Sequence, residues 1–272
     1  MIELVMVKMD RQVRMIAFDA FKNLCASGVS RKESVDRIST EFGILQGTLY
    51  DWYKGEHIPY GRKGKIKYRA EIYYVLGALL GDGCLYRWKP TNNYVILVGD
   101  KRFATKYSKY LAACTYKRVK PYVDRSKNIW FVRTNNFELY ELFKKSRADL
   151  SCLENLISEN GKRAAFLFIE GFFDAEGCVK LIKESSRITP KVCLDVTNTN
   201  LEILLLIKRL LLKNANIETG ICSQKPHKNR KIAYHLRIYR KENIRKFLKL
   251  MPTTKLKKDK ISLVRNWLTN GR

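Results

Sequence analysis

Apolar residues recur at helical spacing over residues 13–25, and the pattern breaks at Ser27-Gly28. Ser30, with Glu33 three residues later, carries a capping-box signature. The helix it opens places Val35, Ile38 and Phe42 on one face and stops at Gly43. A third, short helix is predicted over 46–54, with Leu45, Leu49 and Trp52 at helical spacing. Three short helices with a tight Gly turn before the last follow the helix-turn-helix plan. In that plan Gln46, Gly47, Tyr50, Asp51 and Lys54 face a major groove; the plainer reading is a three-helix packing module. Residues 1–58 form this unit. The stretch that follows, with Pro59, Gly61, Gly64 and a basic run, predicts a linker over 59–70. There Arg62, Lys63 and Lys65 are either solvated or track phosphates.

From residue 71 the pattern of periods repeats. The first copy, 71–161, predicts a helix at 71–82, strands at 84–88 and 94–99, and a helix at 101–114. Strands at 119–124 and 129–134 and a helix at 136–145 complete it. The second, 162–272, predicts a helix at 163–176, strands at 178–183 and 191–197, and a Leu-rich helix at 200–213. Strands at 217–224 and 232–239 and a helix at 241–250 close that copy. Both read αββαββα. The expected fold class is therefore α+β: one duplicated, pseudo-twofold unit behind a small all-α domain.

Each copy opens on a matching string. Val75-Leu76-Gly77-Ala78-Leu79-Leu80-Gly81-Asp82-Gly83 aligns with Ile169-Glu170-Gly171-Phe172-Phe173-Asp174-Ala175-Glu176-Gly177. Gly77 and Gly81 fall opposite Gly171 and Ala175, and small residues at i and i+4 let two helices approach closely. Glycine inside a helix costs about 1 kcal/mol against alanine, and a close helix–helix contact explains the cost. Packed side by side, the two helices bring their C-terminal ends together, and each end carries one carboxylate, Asp82 or Glu176. Two anions beside negative dipole ends repel unless a cation lies between them. Oxygen donors of this kind suit Mg²⁺, which keeps several waters and needs few protein carboxylates. Such a pair is built for phosphodiester hydrolysis. A helix C-cap followed by Gly explains either string alone; the repeated acid does not follow from capping.

Charge narrows the partner. Fifty-three Lys and Arg stand against 26 Asp and Glu, a net charge of +27. Spread along the whole chain, this excess favours nucleic acid over a membrane surface. Seven cysteines without a C-x-x-C pair argue against structural zinc and a disulfide framework. No apolar run reaches the roughly 18 residues of a membrane span, and the charged start is unlike a signal peptide. An intracellular, soluble, cytoplasmic protein is expected. Only His57, His227 and His235 are present, too few and too scattered for a histidine-based nuclease site.

VLGALLGDG and IEGFFDAEG resemble the two motifs of LAGLIDADG homing endonucleases in their single-chain form, over about residues 71–265. The resemblance implies a saddle of two four-stranded sheets laid on double-stranded DNA, cutting both strands in a long recognition site, as in intron homing. It implies a monomer that uses Mg²⁺ or Mn²⁺, with Asp82 and Glu176 as metal-binding acids and the carbonyls of Gly81 and Ala175 as further ligands. A basic helper is expected at Lys257, and Asn198 is a plausible polar partner; the counterpart region Gly99-Asp100 is acidic. Strand alternation proposes Lys191, His235 and Arg237 as DNA-facing, with Lys225, Lys228 and Arg230 on the loop between strands. Arg87, Lys120, Arg125, Lys127 and Arg133 are the equivalents in the first copy. A regulator that binds DNA without cutting it, or an intron maturase, is the alternative on the same fold.

Overall fold

The computed structural model describes residues 11–54, 64–88, 92–182, 190–224 and 231–270. It opens with three helices, α1 (Arg11–Ala26), α2 (Arg31–Phe42) and α3 (Gln46–Lys54). Ser30 Oγ accepts from the Glu33 N–H at 3.3 Å to cap α2, and Gly43, at φ 63°, ends it in the left-handed conformation that glycine adopts freely. Phe18 meets Trp52 edge-on at 5.2 Å. With Val35, Ile38 and Leu49 these rings form a core of their own.

Two copies of one plan follow. The first runs α4 (Glu71–Asp82), β1 (Gly83–Trp88), β2 (Asn92–Gly99), α5 (Lys101–Cys114), β3 (Tyr122–Asp124), β4 (Ile129–Thr134) and α6 (Phe137–Ala148). A connecting helix, α7 (Leu150–Glu159), leads to the second. That copy runs α8 (Gly161–Glu176), β5 (Gly177–Ile182), β6 (Lys191–Asn198), α9 (Leu201–Ala215), β7 (Gly220–Gln224), β8 (Ala233–Ile238) and α10 (Lys241–Leu250), and α11 (Lys258–Asn270) ends the described chain. Each copy folds one antiparallel sheet, ordered β1-β2-β4-β3 or β5-β6-β8-β7. The fold is the duplicated α+β unit that the periods predict. Two helices escaped the pattern, α7 and α11, and the strand expected from 119 begins only at Tyr122. Before it, Val119 is buried and its carbonyl takes the Ser108 hydroxyl, so this stretch serves the helix layer instead of the sheet.

The basic linker also differs from expectation. Arg62 and Lys63 lie outside the described residues, but 64–70 is no free tether. Ile66 is buried and its N–H donates to Glu138 Oε2 at 2.7 Å, while Asn136 Nδ2 donates to the Lys65 carbonyl at 2.9 Å. A short bridge to Thr115 completes the seam. One apolar side chain with satisfied backbone groups is enough to draw the segment onto the first copy.

At the centre, α4 and α8 pack side by side. A Cβ on Gly77 would lie 2.1 Å from the Phe168 carbonyl oxygen, and one on Gly171 would lie 2.2 Å from that of Tyr74. The two contacts are twofold equivalents. Backbone therefore touches backbone at both glycines, which is why alanine is absent there. Farther along, a Cβ on Gly81 would meet Ala175 Cβ at 2.4 Å, so the helix ends converge.

Candidate active site and nucleic-acid surface

Asp82 is the last residue of α4 and Glu176 the last of α8. Both are half-buried, and both carboxyls are pushed above their ordinary range. Burial is the main cause at each; the Asp82 charge adds to it at Glu176, and Lys255 works against it at both. Asn198 Nδ2 donates to Glu176 Oε1 at 3.0 Å. Lys255 Nζ donates to the Ala175 carbonyl at 2.7 Å. Two acids, one ammonium and one amide thus gather where the helices end.

The two halves are not equivalent. Gly83 pairs with Leu97 in the first sheet and Gly177 with Val196 in the second, so Gly99 occupies the position of Asn198. Asp82 consequently has no amide where Glu176 has one. Asp100, the acid of the counterpart region, points elsewhere; its Oδ1 accepts from the Phe103 N–H at 2.9 Å and caps α5.

Lys257 is exposed, whereas the charge of Lys255, two residues earlier, acts on both carboxyls. The ammonium nearest the helix ends is thus that of Lys255, two positions before the lysine expected from the run. Spacing could not choose, because the segment after α10 is irregular and its path is set by contacts distant in sequence. Chief among these is Asp174, fully buried inside the motif helix, which holds Thr253 and Thr254. Asp174 and Glu170 were legible in principle. They are acids at i and i+4 on an otherwise apolar helix face, where the first string has Leu80 and Leu76. The Ala175 carbonyl, expected as a metal ligand, already accepts one hydrogen bond; a carbonyl oxygen carries two lone pairs, so one remains.

Each sheet turns one face to the helices and leaves the other open. In the second, Val192, Leu194 and Val196 enter the core, and Lys191, Asp195 and Thr197 take the open face, joined by Lys180, His235 and Arg237. Asp195 is buried at its centre. It pairs with Lys180 and lies 3.2 Å from His235 Nδ1 and 3.5 Å from Arg237 Nε. Arg237 also donates to the Tyr239 hydroxyl at 3.1 Å, and Lys191 lies over that ring. His235, expected as a DNA contact, is itself buried: its other nitrogen meets Gln224 Oε1 at 3.1 Å. Both ring nitrogens thus brace the face. Lys225, Lys228 and Arg230 lie outside the described residues.

The first sheet is different. Its open face carries Tyr86, Tyr94, Phe131 and Arg133, whose guanidinium lies 5.1 Å from the Tyr94 ring centroid. Arg87 is exposed near the end of β1 and shares the parity of Leu85 and Val95, opposite to that of Arg133. Lys120, Arg125 and Lys127 are exposed, before β3 and in the β3–β4 turn. In the N-terminal unit Lys54 is exposed, Gln46 is tied to Asp36 at 2.9 Å, and Tyr50 lies under Arg31, a cation that spacing did not single out.

Residues 163–252 match the family described as a LAGLIDADG-like domain. This chain carries a LAGLIDADG-like domain. The match spans α8 to the segment just after α10, and so includes Glu176 and Asn198. Among curated proteins, the uncharacterized protein MJ0398 of Methanocaldococcus jannaschii is 26% identical over 258 residues, covering 88% of each chain. Among solved structures, mesophilic variants of the homing endonuclease I-DmoI align at 20% identity with a TM-score of 0.49, covering 67% of this chain and 88% of that one. The N-terminal LAGLIDADG domain of DUF199/WhiA aligns at 17% identity with a TM-score of 0.46, covering 76% and 90%. Among the described residues no helix is long and apolar enough to cross a membrane.

The donors present suit a hard divalent cation. Among the described residues no group of three or more His, Cys, Asp or Glu could hold a metal ion. At the ends of α4 and α8, two carboxylates destabilised by burial, Glu176 also by the charge of Asp82, lie beside backbone carbonyls. Mg²⁺ asks for little more, since water fills its remaining positions.

Proposed function

We propose that this protein is a site-specific endonuclease that binds double-stranded DNA as a monomer and breaks both strands with the aid of Mg²⁺ or Mn²⁺. The observation that carries this reading is the meeting of Asp82 and Glu176 at the ends of two helices packed backbone to backbone. Nothing in folding requires two half-buried acids to face one another there; a cation between them removes the penalty.

Asp82 and Glu176 would hold the ion, with the carbonyls of Gly81 and Ala175 beside them. Bound there, a divalent cation supplies an activated water at neutral pH and offsets charge on the scissile phosphate. Asn198 fixes the Glu176 carboxylate by donating to one of its oxygens. Lys255 places an ammonium among the acids, where it can donate to a phosphate oxygen. The open sheet faces carry the cations that would hold the duplex, Lys180, Lys191 and Arg237 on one and Arg133 on the other. The N-terminal unit reads as an added helix-turn-helix contact through Arg31 and Lys54.

Cleavage of a randomised duplex library with Mg²⁺ tests the reading. Selected sites should be cut by the wild type and left whole by Asp82→Asn and Glu176→Gln, which should still bind them. Specific binding without cutting by the wild type, in either metal, would replace the nuclease with a DNA-binding regulator.

A further inference from the structure

The second copy contains a buried polar cluster that the first lacks. Asp174 Oδ2 accepts from the Tyr74 hydroxyl at 2.8 Å and from Lys106 Nζ at 2.7 Å. Its Oδ1 accepts from Thr253 Oγ1 at 2.6 Å and from the Thr254 N–H at 2.7 Å. Lys106 also pairs with Glu170 and donates to the Pro252 carbonyl, both at 2.5 Å. Thr253 Oγ1 in turn accepts from the Lys255 N–H at 3.0 Å. An unbroken chain of hydrogen bonds therefore runs from the core of the helix pair to the backbone of Lys255.

The cost of this cluster points to a purpose. A charged carboxylate with no exposure is expensive unless every lone pair is satisfied. Leucine at the equivalent positions 76 and 80 shows that this helix face packs without any charge. What the charge adds is a fixed path for residues 252–255, a segment without regular secondary structure of its own. Lys106 belongs to the first copy and Asp174 to the second, so the clamp also spans the pseudo-twofold axis. Among the described residues no lysine donates to the Gly81 carbonyl as Lys255 does to Ala175.

We propose that Asp174 is a positioning residue: with Lys106 and Tyr74 it clamps the 252–255 strap and brings a single ammonium, Lys255, into the site from the second copy's side. The two halves are then unequally equipped, and the two strands of a duplex are cut at different rates. The strand clause rests on the endonuclease reading; the clamp does not.

Lysine acetylation of the full chain, read by mass spectrometry without DNA or metal, tests the clamp. Lys255 should react about tenfold more slowly than exposed Lys257, because its ammonium is hydrogen-bonded. Thr253→Val removes the one hydroxyl linking Asp174 to Lys255 and leaves the helix pair intact; it should bring Lys255 to within about twofold of Lys257. Asp174→Asn should do the same where it folds. Wild-type Lys255 as reactive as Lys257, or Lys255 still protected in folded Thr253→Val, overturns the proposal. In a second arm, a supercoiled plasmid with a selected site should pass through a nicked circle before it becomes linear. Thr253→Val should slow the first nick about tenfold while the Kd for DNA stays the same. Equal rates on both strands refute the strand clause alone. No cutting at all by the wild type defeats the nuclease reading, and the acetylation rates still decide the clamp.

Discussion

Asp82 and Glu176 are held in the folded chain at a cost that pH can expose. Burial raises both carboxyls, and Asp82 raises Glu176 further. The folded state therefore binds more protons than the unfolded one between the ordinary and the raised values. The pair's contribution to stability is present below the ordinary carboxylate range and is lost as pH rises through the raised values. In metal-free protein at pH 7, Asp82→Asn should thus raise Tm by about 2–4 °C, the shift that roughly 1 kcal/mol produces in a chain of this size. The gain should largely vanish by about pH 3.5, where most carboxyls are protonated in both states. A melting scan with chelator at the two pH values checks this, and an unchanged Tm at pH 7 would show that burial is not straining the pair. Added Mg²⁺ should reverse the order, stabilising the wild type more than the variant.

Between elements, the decisive contact is α4 against α8, and glycine makes it possible. A methyl at Gly77 or Gly171 would stand little over 2 Å from a carbonyl oxygen of the facing helix, and backbone cannot swing aside as a side chain can. Gly77→Ala and Gly171→Ala should each destabilise by roughly 2 kcal/mol, overpacking outweighing the gain in helix propensity. Gly47→Ala, also within a helix but with nothing within 4 Å of the new methyl, should be neutral or stabilising by up to about 1 kcal/mol. Urea denaturation of the three variants separates packing from propensity; equal effects would refute the close approach. This contact was legible in the sequence because small residues at i and i+4 recur in both strings, and a helix period converts spacing into a face. The strand order was legible for a similar reason. The meeting of Asp174 with Lys106 and Thr253 was not, since it joins residues 68 and 79 positions apart that no local period relates. The same holds for 64–70, whose composition reads as a tether until Glu138 and Asn136 supply its partners.

Across the whole molecule, a net charge of +27 fixes the sign of the partner but not how selectively it is held. Selectivity needs cations in fixed directions, and the two sheets meet that need unequally. The first offers aromatic rings and Arg133. The second anchors Lys180, Arg237 and His235 on one buried acid, Asp195, so that side chains otherwise free to chase phosphates are held in register. If this face binds DNA as proposed, the acid beneath it also repels the duplex, which lowers affinity for any sequence and favours sites whose contacts match the fixed groups. Removing it should therefore strengthen binding while blunting discrimination. Asp195→Asn keeps the size and some of the hydrogen bonds but not the charge. Its affinity for random duplex should rise, and the slope of log K against log salt should steepen by about one unit as freed cations reach phosphates. The ratio of selected-site to random-site affinity should fall at the same time. Titrations of both duplexes at several salt concentrations measure all three quantities. If the slope and the ratio both match the wild type, Asp195 is a packing element of the sheet and the register of these cations is set elsewhere.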